Sequence, residues 1–164
     1  MNVARTLVGL TVLLLALQVV PLFADEKIHW HSNVAQAWQR VRELDQPLLL
    51  FITTPNCGYC KLMKQQTFRD KRVINDVNQS FVPARINSQD SRKLTQYLKI
   101  RIYPSTIIIG PDRRIVEQIP GYITAGKMRT RLSSARLKSK TNPPYRVSQG
   151  KSSPNRNAVS TPTR

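Results

Sequence analysis

Two cysteines, Cys57 and Cys60, carry the clearest chemistry in this chain, and only Gly58 and Tyr59 separate them. Thiolate is the reactive form of cysteine, and a pair at this spacing can close a disulfide, open it on attack and pass it on. Two cysteines are too few for a disulfide-rich scaffold or an all-cysteine zinc site. Three other uses are open from the residue types alone. An inert disulfide here closes so short a loop that it constrains little of the unfolded chain. A metal site needs more ligands, and His29 and His31 sit two apart, on one side of a strand, where they complete a Cys2His2 set. The thiols could also be unrelated.

The elements on either side favour redox chemistry over these three. Leu48-Leu49-Leu50-Phe51-Ile52 is a continuous apolar run that suits a strand covered on both faces. A helix is expected to start near Cys57 and run toward Phe68. At a helix start, unpaired N–H groups and the helix dipole favour a thiolate, and Lys61 and Lys64 add positive charge. Cys57 is therefore expected to be the exposed nucleophile and Cys60 the more buried resolving thiol. The short spacer lets Cys60 attack a mixed disulfide at Cys57 and release the partner.

Helical and strand patterns alternate around this pair. Val34, Ala37, Trp38, Val41 and Leu44 share a helical face behind Asn33 as N-cap, with Gln36 three residues on. Asp70 reads as the cap of a short helix holding Val73, Ile74 and Val77. Residues 81–87 form the next strand and 91–98 a short helix. Strands over 105–109 and 115–119 flank a Gly110-Pro111-Asp112 hairpin turn, and Thr124 caps a last helix with Met128, Leu132 and Ala135 inward. His29-Trp30-His31 also reads as the polar margin of a short edge strand with Trp30 packed inward. The order predicts an α/β fold: a three-layer sandwich whose mixed central sheet has parallel core strands and a C-terminal antiparallel hairpin.

The two ends read differently from this unit. The chain has 164 residues, 26 Lys+Arg against 9 Asp+Glu, and a net charge of +17. Residues 1–24 have the pattern of a signal peptide: Arg5, an apolar run over 7–20, Pro21, and Ala24 before a cut that leaves Asp25 first. The apolar run falls short of the roughly 20 residues that span a bilayer. Residues 138–164 contain four prolines and no Asp or Glu, and are expected to be a disordered basic tail. The folded domain is then 25–137. The charge, extended by Arg129, Arg131 and Arg136, fits equally a solvated tail with a wet helix face and contact between the tail and an anionic surface. No nucleic-acid reading module is recognisable, so nucleic acid is not an expected partner.

With those residues in place, the sequence resembles the thioredoxin superfamily over nearly all of 30–137. The landmarks are Pro47 before the apolar strand, Cys57-Gly58-Tyr59-Cys60-Lys61, Ile100-Arg101-Ile102-Tyr103-Pro104-Ser105, and Gly121. A narrower resemblance is to secreted bacterial thioredoxin-like domains, through Met63, Thr67-Phe68, Asp70, Val73 and Phe81-Val82-Pro83. The Gly-Tyr spacer is similar to that of periplasmic disulfide isomerases. The resemblance implies an exported, monomeric thiol–disulfide oxidoreductase acting on protein thiols and disulfides, without a cofactor. It also implies that Pro104 is a cis-proline facing the cysteine pair, leaving the Tyr103 backbone free to pair with a substrate strand. Tyr103, Pro104, Gly58 and Tyr59 are thus the candidate substrate contacts. The sequence departs from thioredoxin proper at three places. Phe51, six residues before Cys57, stands at the family's buried acid and leaves no evident internal base for Cys60. Tyr59 replaces the spacer proline, and Asn56 replaces the tryptophan usual before the first cysteine.

Overall fold

The computed structural model describes residues 27–141. The signal peptide expected over 1–24 and most of the tail expected over 138–164 therefore lie outside the described residues. Helix α1 (Val34–Leu44) starts where the Asn33 side-chain oxygen accepts from the N–H groups of Ala35, at 2.8 Å, and Gln36, at 3.3 Å. It ends at Asp45, whose left-handed backbone (φ 49°) turns the chain toward Pro47. Strand β1 (Leu48–Thr53) leads into α2 (Gly58–Gln65), a 3-10 turn (Thr67–Arg69) and α3 (Lys71–Ser80). Strand β2 (Val82–Asn87), helix α4 (Arg92–Tyr97), strands β3 (Ser105–Ile109) and β4 (Ile115–Pro120), and helix α5 (Ala125–Thr141) complete the order.

The sheet order is β2-β1-β3-β4. Among the described strands β1 and β2 alone pair in parallel, with Leu48 opposite Val82, whereas β3 runs antiparallel to both β1 and β4. The parallel part is thus narrower than strands separated by helices suggest, because the 88–104 segment returns β3 reversed along the other edge of β1. Beyond β2, His31 makes a parallel bridge to Ala84 and covers that edge through main-chain bonds at 2.9 Å to Pro83 and Arg85. Trp30 packs inward against Phe51 and Phe68, as the edge-strand reading expects.

Side-chain alternation along the strands makes two cores. On one face Leu48, Leu50, Ile52, Val82, Ile86, Ile107 and Ile109 pack under Ala37 and Val41 of α1, with Leu98 after α4. On the other, Leu49, Phe51, Ile108 and Ile119 pack under Met63 of α2, Phe68, Val73, Ile74 and Val77 of α3, and Met128, Leu132 and Ala135 of α5. Each fully buried large side chain contributes roughly 1.5–3 kcal/mol over exposure.

Several boundaries differ from those read from sequence. The helix expected to reach Phe68 stops at Gln65. There the Thr67 hydroxyl donates to the Ile123 carbonyl at 2.6 Å, and the chain tightens into the 3-10 turn that buries Phe68. Helix α3 then restarts on Asp70, whose carboxylate accepts from Arg72 and Val73 N–H. Phe81 belongs to the end of α3, its N–H bonded to the Val77 carbonyl, so β2 begins at Val82. Helix α5 continues past Leu137 to Thr141, and Lys138 reaches Glu117 at 3.1 Å. The basic face expected from Arg129, Arg131 and Arg136 is largely tied down: Arg129 pairs with Asp76 at 2.9 Å, Arg131 with Glu117 at 2.6 Å, and Arg136 donates to Ser80 at 3.4 Å.

Candidate active site

The cysteine pair sits at the end of the central strand. After Thr53 the chain turns through Pro55 and Asn56, and Asn56 takes a left-handed backbone, φ 54°. Asparagine tolerates that region better than most non-glycine residues, which gives a local reason for Asn56 at this position. The turn delivers Cys57 as the N-cap of α2, where its sulfur accepts from the Cys60 N–H at 3.1 Å. In the reduced state the same N–H and the helix dipole favour the Cys57 thiolate. Cys57 is half-buried and Cys60 is 2% exposed, and the two are joined as a disulfide with Cα atoms 5.2 Å apart. An accessible first sulfur and a buried second one are what the assigned order of attack requires.

Antiparallel pairing of β1 with β3 sets Ile52 opposite Ser105. The end of β1 that leads to Cys57 and the start of β3 therefore emerge on the same edge of the sheet. The Tyr103–Pro104 peptide bond, immediately before β3, is cis. Pro104 is buried and its carbonyl accepts from the Gly121 N–H at 2.7 Å; Gly121 has φ 77°, which glycine alone takes without cost. The Ser105 hydroxyl donates to the Ile102 carbonyl at 2.6 Å and fixes the bend. Tyr103 is half-buried, and its main-chain N–H and carbonyl make no hydrogen bond among the described residues. Gly58 has open space around its Cα, and Tyr59 is 65% exposed. All six sequence-predicted site residues thus lie on the loops and helix start at this edge of the sheet.

The histidines do not join them. Among the described residues no three His, Cys, Asp or Glu side chains gather where they could hold a metal, so the Cys57/Cys60/His29/His31 set is not assembled. His31 is instead engaged at the far side of β2.

Three features of the site were not read from sequence. Tyr122 brings its ring to 6.2 Å from Tyr59, and its hydroxyl bonds Gln66 at 3.0 Å, so the loop after β4 buttresses the spacer. Ile102, 55% exposed, stands beside the cis bond. Beneath the site Phe51, fully buried, meets Phe68 at 4.9 Å and Trp30 at 5.7 Å between ring centroids. This aromatic cluster fills the interior at the family's acid position. Aromatic content next to the strand signalled the first and third features, but neither pairing has a fixed spacing in sequence.

A buried strand delivering a dithiol to a helix N-terminus, with a cis-proline loop on the same edge, defines a thiol–disulfide exchange fold. Comparison with known proteins assigns the family. The model of the thioredoxin-like domain matches residues 34–136, and the chain belongs to that family. A thioredoxin from Thermus thermophilus has a similar structure, with a TM-score of 0.63 at 15% identity, covering 69% of this chain and 90% of its own. A DsbH oxidoreductase has a TM-score of 0.59 at 16% identity, covering 77% and 94%. An uncharacterised protein of Caenorhabditis elegans is 19% identical over 97 residues, 54% of this chain and 13% of its own length. The chain therefore spans about an eighth of that relative. Family membership together with the Cys57/Cys60 pair supports thiol–disulfide oxidoreductase chemistry in general terms.

Proposed function

We propose that this protein exchanges disulfides with protein substrates outside the cytoplasm. The observation that carries the reading is the asymmetry of the pair, with half-buried Cys57 capping α2 and Cys60 buried behind it. In the reducing direction the Cys57 thiolate attacks one sulfur of a substrate disulfide, forming a mixed disulfide and releasing one substrate thiolate. Cys60, losing its proton to solvent, attacks the Cys57 sulfur and frees the second substrate thiolate. The substrate gains two electrons and the protein ends as the Cys57–Cys60 disulfide. The oxidising direction is the reverse, starting with a substrate thiolate on Cys57. Tyr103, whose main-chain groups make no hydrogen bond among the described residues, holds the substrate backbone beside Cys57, and Gly58 leaves room for it.

Substitution tests the assignment. Cys60→Ser should accumulate mixed disulfides through Cys57, and Cys57→Ser should accumulate none; equal trapping by both overturns the roles. The potential of the couple against glutathione then gives the direction. A value near about −270 mV marks a reductant and one near about −120 mV an oxidant. Export is supported by the leader-like composition of residues 1–24. Amino-terminal sequencing of the protein from an export-competent host should begin at Asp25, and an unprocessed chain retained in the cytoplasm removes that part of the proposal.

A further inference from the structure

Beside the disulfide the surface carries cations that no carboxylate answers among the described residues. Lys61 and Lys64, on successive turns of α2, line the depression that exposes Cys57. Lys64 also lines a second depression, where Lys27, Arg69 and Arg85 join it around a floor of Ile28, Trp30 and Phe68. The two recesses share Lys64 and so form one track leading away from the reactive sulfur. None of the five cations makes an ion pair among the described residues. On other faces, by contrast, Glu43, Asp76, Asp112 and Glu117 all pair with arginines.

We propose that this track docks an acidic segment of the substrate protein, one carrying a large apolar side chain for the Trp30/Phe68 floor. The proposal rests on the exchange reading for its setting. Charge complementarity and position select the occupant. Four cations without an ion pair among the described residues ring an apolar recess, with Lys61 closer to Cys57, and match alternating acidic and apolar side chains, which desolvate the floor and answer the rim together. An anionic membrane is a poorer fit, because a lipid plane meets protruding cations rather than a recess floor. The seven residues from Cys57 to Lys64 advance about 10 Å along α2. At about 3.3 Å per extended residue, the acidic stretch begins about three residues from the substrate cysteine.

The test uses the full chain and synthetic peptides holding a mixed disulfide. Three residues from the cysteine the peptides carry Glu-Leu-Glu-Glu, Gln-Leu-Gln-Gln or Lys-Leu-Lys-Lys. Exchange with the Glu peptide should be at least about tenfold faster in kcat/KM than with the Lys peptide at low salt, falling toward parity at high salt. The reversal K64E/R69E/R85E should abolish or invert the preference. R92E/K93E/K99E, with the same net charge but its changes on and just after α4, should keep it. Loss of the preference in both triple variants, or equal exchange of all three peptides by the wild type at low salt, overturns the docking site. So does loss of binding to phosphatidylglycerol vesicles in K64E/R69E/R85E with the peptide preference intact. Anisotropy of a labelled, cysteine-free Glu-Leu-Glu-Glu peptide gives an independent readout. If it binds the wild type and not K64E/R69E/R85E while no peptide exchanges, the exchange reading fails and the docking site stands.

Discussion

The face of the sheet under α1 and α4 buries eight apolar strand residues and the opposite face four, and the two are built differently. The face under α1 and α4 is aliphatic, with Leu48, Leu50, Ile52, Ile107 and Ile109 meeting Ala37 and Val41. The face under α2, α3 and α5 contains the Trp30–Phe51–Phe68 cluster, two methionines and Thr106, the one buried hydroxyl without a partner among the described residues. The first face packs, and meets the site through half-buried Tyr103 rather than through the helix that carries the disulfide. The second packs and also sets the surroundings of the disulfide, because α2 stands on it. Substitutions on the α2 face should therefore move both stability and redox behaviour, and those on the α1 face stability alone.

The largest break of this distinction is Phe51→Asp. It replaces a fully buried ring with a carboxyl that has no partner in an aromatic cluster. The cavity and the buried polar group together cost about 4 kcal/mol or more, a fall of roughly 10–20 °C in Tm. Burial raises the carboxyl pKa in the folded state, so the unfolded state loses its proton first as pH rises. The loss should therefore be smallest below pH 4 and grow toward neutrality, where thermal melts across pH will read it. The potential of the Cys57/Cys60 couple should shift in the same variant. A potential equal to wild type would show that the α2 face does not tune the pair.

Leu50→Ala makes the matching change on the α1 face. Leu50 is 1% exposed, so its loss costs about 2–4 kcal/mol in denaturant unfolding. Its potential and its trapping by Cys60→Ser should equal those of the parent. A shifted potential would erase the division between the faces.

Much of this arrangement was legible in the residues. The continuous run 48–52 and the caps Asn33 and Asp70 placed β1, α1 and α3 to within a residue, because each rests on a local rule of periodicity or hydrogen bonding. Cys57 and Cys60 were legible for the same reason, since their spacing and place at a strand-to-helix junction are local. The break at Gln66 was not legible from periodicity, because it depends on Thr67 reaching Ile123, 56 residues later. The answered arginines of α5 and the unanswered cations along α2 look alike in sequence. Only the fold brings Asp76 and Glu117 to the one group and leaves the other without an ion pair among the described residues.

The helix caps sharpen the comparison from the opposite direction. Asn33 caps α1 and Asp70 caps α3, each accepting two main-chain N–H bonds. Asn33→Ala and Asp70→Ala should each cost about 1 kcal/mol by chemical unfolding and leave the potential unchanged. A potential shift in Asp70→Ala alone would extend the tuning region from the core of the α2 face to its helix ends.

The smallest effect is expected at Thr106, and it bears most directly on what the α2 face contains. Thr106, on β3, lies opposite Phe51 of β1 and Ile119 of β4, fully buried, with its hydroxyl unpaired among the described residues. An unpaired buried hydroxyl costs about 1–3 kcal/mol of desolvation, and valine replaces it at nearly the same volume. Thr106→Val should therefore be stabilising by about 1 kcal/mol, a rise of a few degrees in Tm. Thr106→Ser, which keeps the hydroxyl and loses the methyl, should be destabilising. A loss of stability in Thr106→Val would mean that the hydroxyl is satisfied by a buried water, which needs two or more polar partners. The aromatic face would then hold a hydrated polar site beneath the disulfide, and the absence of an internal proton acceptor inferred from Phe51 would have to be given up.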